Sequence, residues 1–273
     1  MKGKGNARAR MQAERAARAK KERLYRRLIV SGAVLGGAAL LTGVIIAVTG
    51  SGSGRTDAAM AAAMKGPLVV PQHASGTDGT VITYGDPAAK RTLDVYEDPR
   101  CPFCGIVERG LGATMQRLAD DGTYKIQYHV ATFLDDSFGG NGSKSALGAL
   151  GAAVHQGTQQ FAALHAALYE NQPDEREDSF ADRDKLLSIV AKVPGLDQAA
   201  MKKAVNDGTY LPWTAKADTA AGKDLDAAWK KAGLSGPAGT PAVFLDGRRL
   251  NVIDNARAAI SAEEFKGLVA KGK

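Results

Sequence analysis

Apolar positions follow three rhythms along the chain. Leu28 to Thr49 (LIVSGAVLGGAALLTGVIIAVT) is an uncharged run of 22 residues. At the helical rise it spans the ~30 Å hydrocarbon core of a bilayer, which predicts a transmembrane helix. Gly50 to Ala63 is built of small residues suited to a flexible tether, and folded structure is expected after Pro71. Val81 to Tyr84 and Thr92 to Tyr96 are short β-prone runs on either side of the turn residues Gly85-Asp86-Pro87. Val107, Leu111, Met115 and Leu118 are spaced four, four and three apart, which predicts a helix. Gly105, Gly110 and Gly112 each weaken it by ~1 kcal/mol relative to Ala, so a bend or tertiary support is expected.

Tyr124 to Ala131 alternates as a strand does, with Ile126, Tyr128 and Val130 on one face. Helical spacing returns in Ser143 to His155, in Gln159 to Tyr169 through Phe161, Leu164 and Leu168, and in Asp184 to Val193, Asp197 to Val205 and Thr214 to Ala232. Ala242 to Leu245 and Arg248 to Val252 flank the two-residue hairpin turn Asp246-Gly247, and Ser261 to Ala270 closes the chain as a helix. The order β, β, α, β, several helices, β, β, α is that of an α/β fold with a helical insertion.

Charge changes the picture at the N-terminus. Of the net +7, residues 1–27 supply +9, from eleven Lys or Arg against Glu14 and Glu22, and the remainder carries −2. A globular part without a cationic surface lacks the basis for neutralising phosphates, so no nucleic-acid partner is expected. The positive-inside rule keeps the basic segment in the cytoplasm and places everything after Thr49 outside. A cleaved signal peptide, with Ala59-Met60-Ala61 downstream, is the competing reading. The long apolar run and long basic segment favour an uncleaved, single-pass anchor in the lipid bilayer.

The chain has two cysteines, Cys101 and Cys104. A bridge between them closes almost no loop and contributes little chain-entropy stabilisation, so chemistry is the better reason for the pair. Cys101-Pro102-Phe103-Cys104 falls where a predicted strand gives way to a predicted helix. Free N–H groups and the positive end of the helix dipole there favour a thiolate, which makes Cys101 the candidate nucleophile, exposed and with a pKa well below ~7. Pro102 is tolerated at the first helical position. Phe103 adds no charge or donor. Cys104, three residues on, lies within bridging reach and is the candidate resolving thiol. Zinc or iron–sulfur binding needs further ligands, and His73, His129, His155 and His165 have no ligand spacing, so no metal or cofactor is expected. His165, between Leu164 and Leu168, reads as structural.

YGDPAAKRTLDVYEDPRCPFC, FAALHAALYENQP and GTPAVFLDGRRL, in that order, resemble the DsbA-like branch of the thioredoxin superfamily. The resemblance implies a thioredoxin-like fold over residues 79–273 with a helical insertion at about 134–237. It also implies a dithiol facing a cis-proline, which is Pro241 preceded by Thr240. Residues 1–27, 28–49 and 50–78 are then the cytoplasmic segment, the anchor and a flexible linker. Thioredoxins carry a buried carboxylate six residues before the first cysteine, where this chain has Val95. Glu97 and Asp98 are nearer the motif, and solvation at a strand end is their expected state, with proton acceptance from Cys104 the alternative.

The expected function is a thiol–disulfide oxidoreductase of the cell membrane with an extracytoplasmic domain. It would act on cysteine-containing exported proteins as a disulfide donor, with a membrane redox partner resetting the dithiol. A tethered reductase or isomerase, and a non-catalytic binding module, are the alternatives.

Overall fold

A computed structural model describes residues 57–271. The basic segment 1–27 and the apolar run 28–49 lie outside the described residues. Among the described residues, no helix is long and apolar enough to cross a membrane.

Five strands form one sheet in the order β1-β3-β2-β4-β5: β1 Ile82–Tyr84, β2 Thr92–Glu97, β3 Lys125–Val130, β4 Ala242–Leu245 and β5 Arg248–Leu250. The first two strands flank a turn but do not pair. β3 lies between them, antiparallel to β1 and parallel to β2. A parallel pair needs a crossover, here the helical stretch Pro102 to Asp120. Leu93, Val95, Ile126, Tyr128, Val130, Val243 and Leu245 enter the main core, while Tyr96, Ala242 and Phe244 form a smaller core with Leu225. Asp246 (φ 53°) and Gly247 (φ 82°) turn the β4–β5 hairpin. The Asp246 carboxylate accepts from the Thr92 N–H and from Arg91 Nε, both at 2.8 Å, which holds the end of β4 against β2.

The crossover runs as α2 (Pro102–Val107), a π-helical turn (Glu108–Gly112) and α3 (Ala113–Asp120). The expected irregularity is therefore a π-bulge. It turns Leu111 and Met115, both fully buried, into the core. A Cβ on Gly112 would collide with the Glu108 carboxyl group, so the glycine leaves room for that side chain.

Between β3 and β4 come α4 (Phe133–Phe138), α5 (Gly142–Gln156), α6 (Thr158–Glu170), a 3-10 turn (Ser179–Ala181), α7 (Arg183–Val190), α8 (Gln198–Asp207) and α9 (Leu211–Lys231). The final helix, α10 (Ala262–Ala270), starts from a capping box between Ser261 and Glu264. The flexible-tether expectation for 50–78 needs correction where the chain is described. Asp57–Ala63 is a helix, α1, with Met60 2% exposed, and Asp57 accepts from Asn141 Nδ2 at 2.8 Å. Alanine-rich sequence suits a helix as readily as a tether, and one buried methionine with one side-chain hydrogen bond ties it down.

Candidate active site

Cys101 stands four residues beyond the end of β2, at the N-cap of α2 in extended conformation (φ −69°, ψ 117°), and no side chain caps that helix. The helix start therefore leaves its free N–H groups and positive dipole end to the sulfur. Pro102 occupies the first turn at no cost in hydrogen bonding. Both cysteines are free thiols. With Tyr169 they form a small cluster against which Phe103 and Leu134 pack. The Thr240–Pro241 peptide bond is cis, and the Cys101 thiol points its Sγ at the Thr240 carbonyl, 3.5 Å away. The fold thus brings Cys101, Cys104, Thr240 and Pro241 into one place.

The two thiols differ. A hydrogen bond from Cys104, opposed by burial and helped by the N–H groups of Cys104 and Phe103, lowers the Cys101 pKa to about 7. Burial, reinforced by the neighbouring Cys101 and the charge of Glu97, pushes Cys104 well above the ordinary thiol range. The expectation of an exposed thiolate well below ~7 is corrected here. Cys101 is only 6% exposed, and desolvation offsets much of what the helix start and the second thiol provide.

The expected solvation of Glu97 and Asp98 is also overturned. They are 3% and 0% exposed. Asp98 accepts from Ser143 Oγ at 2.6 Å, from the Arg100 N–H at 2.9 Å and from the Leu134 N–H at 3.0 Å. Burial still outweighs these donors and raises its pKa to about 6. Glu97 is hydrogen-bonded to His165 Nε2, and the other ring nitrogen lies 3.3 Å from Glu108. Burial disfavours a charged ring, but the two carboxylates prevail and raise the His165 pKa to about 10. Burial raises Glu97 as well, against the pull of His165. His165 is therefore the cation of a buried cluster whose nearer carboxylate acts on Cys104.

Other side chains suspend the loop before Cys101 from the insertion. Arg100, 1% exposed, donates through Nη1 to Asp135 and the Gly139 carbonyl, and through Nη2 to the Glu175 carbonyl, each at 2.8 Å. Gln172 Nε2 donates to the carbonyls of Pro99 at 2.8 Å and Cys101 at 2.9 Å. The Tyr169 hydroxyl donates to the Asp98 carbonyl at 3.3 Å. On the opposite side, Arg249 Nη2 donates to the Pro241 carbonyl at 3.2 Å. Sequence reasoning assigned these residues no role. Tyr169 and Gln172 were signalled by the stretch FAALHAALYENQP. Among the described residues no cluster of His, Cys, Asp and Glu is arranged to hold a metal ion.

The thioredoxin family model Thioredoxin_4 matches residues 77–271. Among solved structures, the reduced form of the disulfide bond oxidoreductase DsbG from Mycobacterium tuberculosis is 25% identical with a TM-score of 0.51, covering 68% of this chain and 81% of that one. DsbA from the same organism, oxidised, is 23% identical with a TM-score of 0.52, covering 70% and 91%. MdbA, a thiol–disulfide oxidoreductase from Actinomyces oris, is 22% identical with a TM-score of 0.55, covering 74% and 89%. Among curated proteins, the serine/threonine-protein kinase PknE of M. tuberculosis is 28% identical over 170 residues, 61% of this chain. The chain spans 28% of that relative's length. The match over residues 77–271, on a fold shared with DsbG, DsbA and MdbA, means that this chain belongs to the thioredoxin family, as a DsbA-like member of its superfamily.

Proposed function

We propose that the domain is a protein thiol–disulfide oxidoreductase that exchanges disulfides with cysteine-containing exported proteins. The observation that carries this function is the pairing of unlike thiols at a helix start: Cys101 titrates near neutrality and faces the Thr240 carbonyl, while Cys104 is buried behind it. In the oxidised domain a substrate thiolate attacks Cys101 Sγ and breaks the Cys101–Cys104 bond. The Cys104 sulfur leaves with the electron pair and takes a proton, which the Glu97–His165–Glu108 cluster supplies. A second substrate thiolate then attacks the substrate sulfur of the mixed disulfide, closing the substrate's own bridge and releasing Cys101 as thiolate. Run backwards, the same steps reduce a disulfide, with Glu97 receiving the Cys104 proton.

Donation is the proposed direction, supported by an extracytoplasmic, oxidising location. The reductase or isomerase direction has one observation in its favour: a Cys101 pKa of about 7 lies in the range of thioredoxin itself. Equilibrating the purified protein with glutathione mixtures decides between them. A potential of about −120 to −200 mV supports the donor, and one near −270 mV the reductase. A dithiol that undergoes no exchange after mild reduction would leave a binding module. Residues 28–49 are proposed to anchor the chain in the bilayer near a membrane redox partner. Protease added to intact cells should then digest the domain but spare residues 1–27.

A further inference from the structure

Phe103 has no charge with which to tune the neighbouring thiols, but it does have a partner. The Arg257 guanidinium lies over its ring, with Cζ 4.8 Å from the centroid. Arg257 is exposed and has a left-handed backbone (φ 64°), which is costly for a side chain of its kind. The loop that imposes this conformation is closed on itself. The Arg257 N–H donates to the Asp254 carbonyl at 3.1 Å, the Asp254 N–H to the Ala258 carbonyl at 2.9 Å, and the Ala258 N–H to Asp254 Oδ1 at 2.9 Å. Ile253 and Ala259 are bridged as an antiparallel pair. The loop also rests on the π-helical turn that follows α2, since a Cβ on Gly110 would come within 2.7 Å of the Ala259 methyl group.

The guanidinium is thus fixed over the side chain that separates the two cysteines. Among the described residues it makes no salt bridge. We propose that Arg257 is a specificity residue that favours substrates carrying an acidic side chain one or two positions from the reacting cysteine. This inference rests on the exchange activity proposed above and adds a substrate class to it. Phe103 packs against the cluster of Cys101, Cys104 and Tyr169. An extended substrate advances ~3.3 Å per residue, so a side chain that close to the cysteine bonded to Cys101 comes within reach of Phe103 and the guanidinium over it. A carboxylate there meets the planar fork of donors that a guanidinium presents. A lysine at the same position meets a like charge.

The test uses the purified full-length chain and three dithiol peptides identical except for Glu, Gln or Lys beside one cysteine. Exchange with Cys101 is quenched by alkylation, and each rate is divided by the peptide's own rate with glutathione, because flanking charge also alters the peptide thiol. The normalised rate should favour Glu over Lys by about twofold to fivefold at low salt, the range of an exposed ion pair, and the preference should shrink as salt screens it. Arg257→Glu should invert the order. Arg257→Asn, which tolerates the left-handed backbone, should flatten it and keeps the test valid if the charge reversal unfolds the loop. An equal Glu-to-Lys ratio in the wild type and Arg257→Asn overturns the assignment of Arg257 while the exchange activity stands. Failure of the wild type to exchange with any of the three peptides overturns both.

Discussion

The His165 imidazole and the Glu97 carboxylate are hydrogen-bonded to each other where both are almost wholly buried, at 1% and 3% exposure. They come from the insertion and the sheet, 68 residues apart. Two carboxylates share this one ring, Glu97 from β2 and Glu108 from the π-helical turn. Tyr128 of β3 and Phe161 and Tyr169 of α6 enclose it.

His165 should therefore make stability fall in alkali. Its pKa rises from 6.5 to about 10 on folding, so its contribution is complete below pH 6.5 and is lost as pH climbs towards 10. His165→Gln leaves two buried carboxylates facing each other without a cation. It should cost on the order of 3–5 kcal/mol at pH 6, with the gap to wild type narrowing as pH approaches 10. Urea unfolding at both ends of that range measures the gap, and a constant gap would show that the ring is neutral in the folded state.

Cys101 should titrate near pH 7, read from thiolate absorbance or alkylation rate. Cys104→Ala removes the hydrogen bond that lowers it most, so the midpoint should move up towards the ordinary thiol value. An unmoved midpoint would assign the shift to the helix start alone.

Cys104→Ser should trap Cys101 in mixed disulfides with its substrates, seen as slow bands on non-reducing gels, and Cys101→Ser should not. Equal behaviour of the two variants would contradict the division of labour between the thiols.

Arg100→Met should leave Asp135, also buried, without its closest cation. Breaking one side of a buried pair costs about 3–5 kcal/mol, which for a domain of this size lowers Tm by roughly 10 °C. Asp135→Asn should be milder, because Arg100 keeps its bonds to the Gly139 and Glu175 carbonyls. Thermal unfolding of the two variants ranks them.

What the chain reveals on inspection is what is encoded locally. The Cys101–Cys104 spacing, the Asp246-Gly247 turn and the Ser261 start of the last helix each depend on a few adjacent residues, and the structure has both of these backbone features where expected. The surroundings of the dithiol are assembled from a distance, and there the expectations failed. Glu97 and Asp98 look like solvated strand-end residues until His165 and Ser143 arrive from the insertion. Arg100 finds its acidic partner, Asp135, 35 residues away in the insertion, where nothing near it in the chain announces the pair. The π-helical turn was legible only as an excess of glycine, since the reason for one of those glycines is the Glu108 side chain curled against it.

The suspension of the redox loop from Tyr169, Gln172 and the Arg100 carbonyl acceptors bears on how such a protein can be redesigned or diversified. A minimal five-stranded redox module cannot be excised from this chain by cutting out residues 133–231, because the backbone of the reacting cysteine would lose its tethers together with the part removed. Chimaeras between relatives should accordingly be joined so that the insertion and the Cys-Pro-Phe-Cys turn come from the same parent. Loop 254–258, whose own hydrogen bonds close within themselves, can be exchanged without cutting those tethers, but Arg257 and the charge preference proposed for it go with the loop.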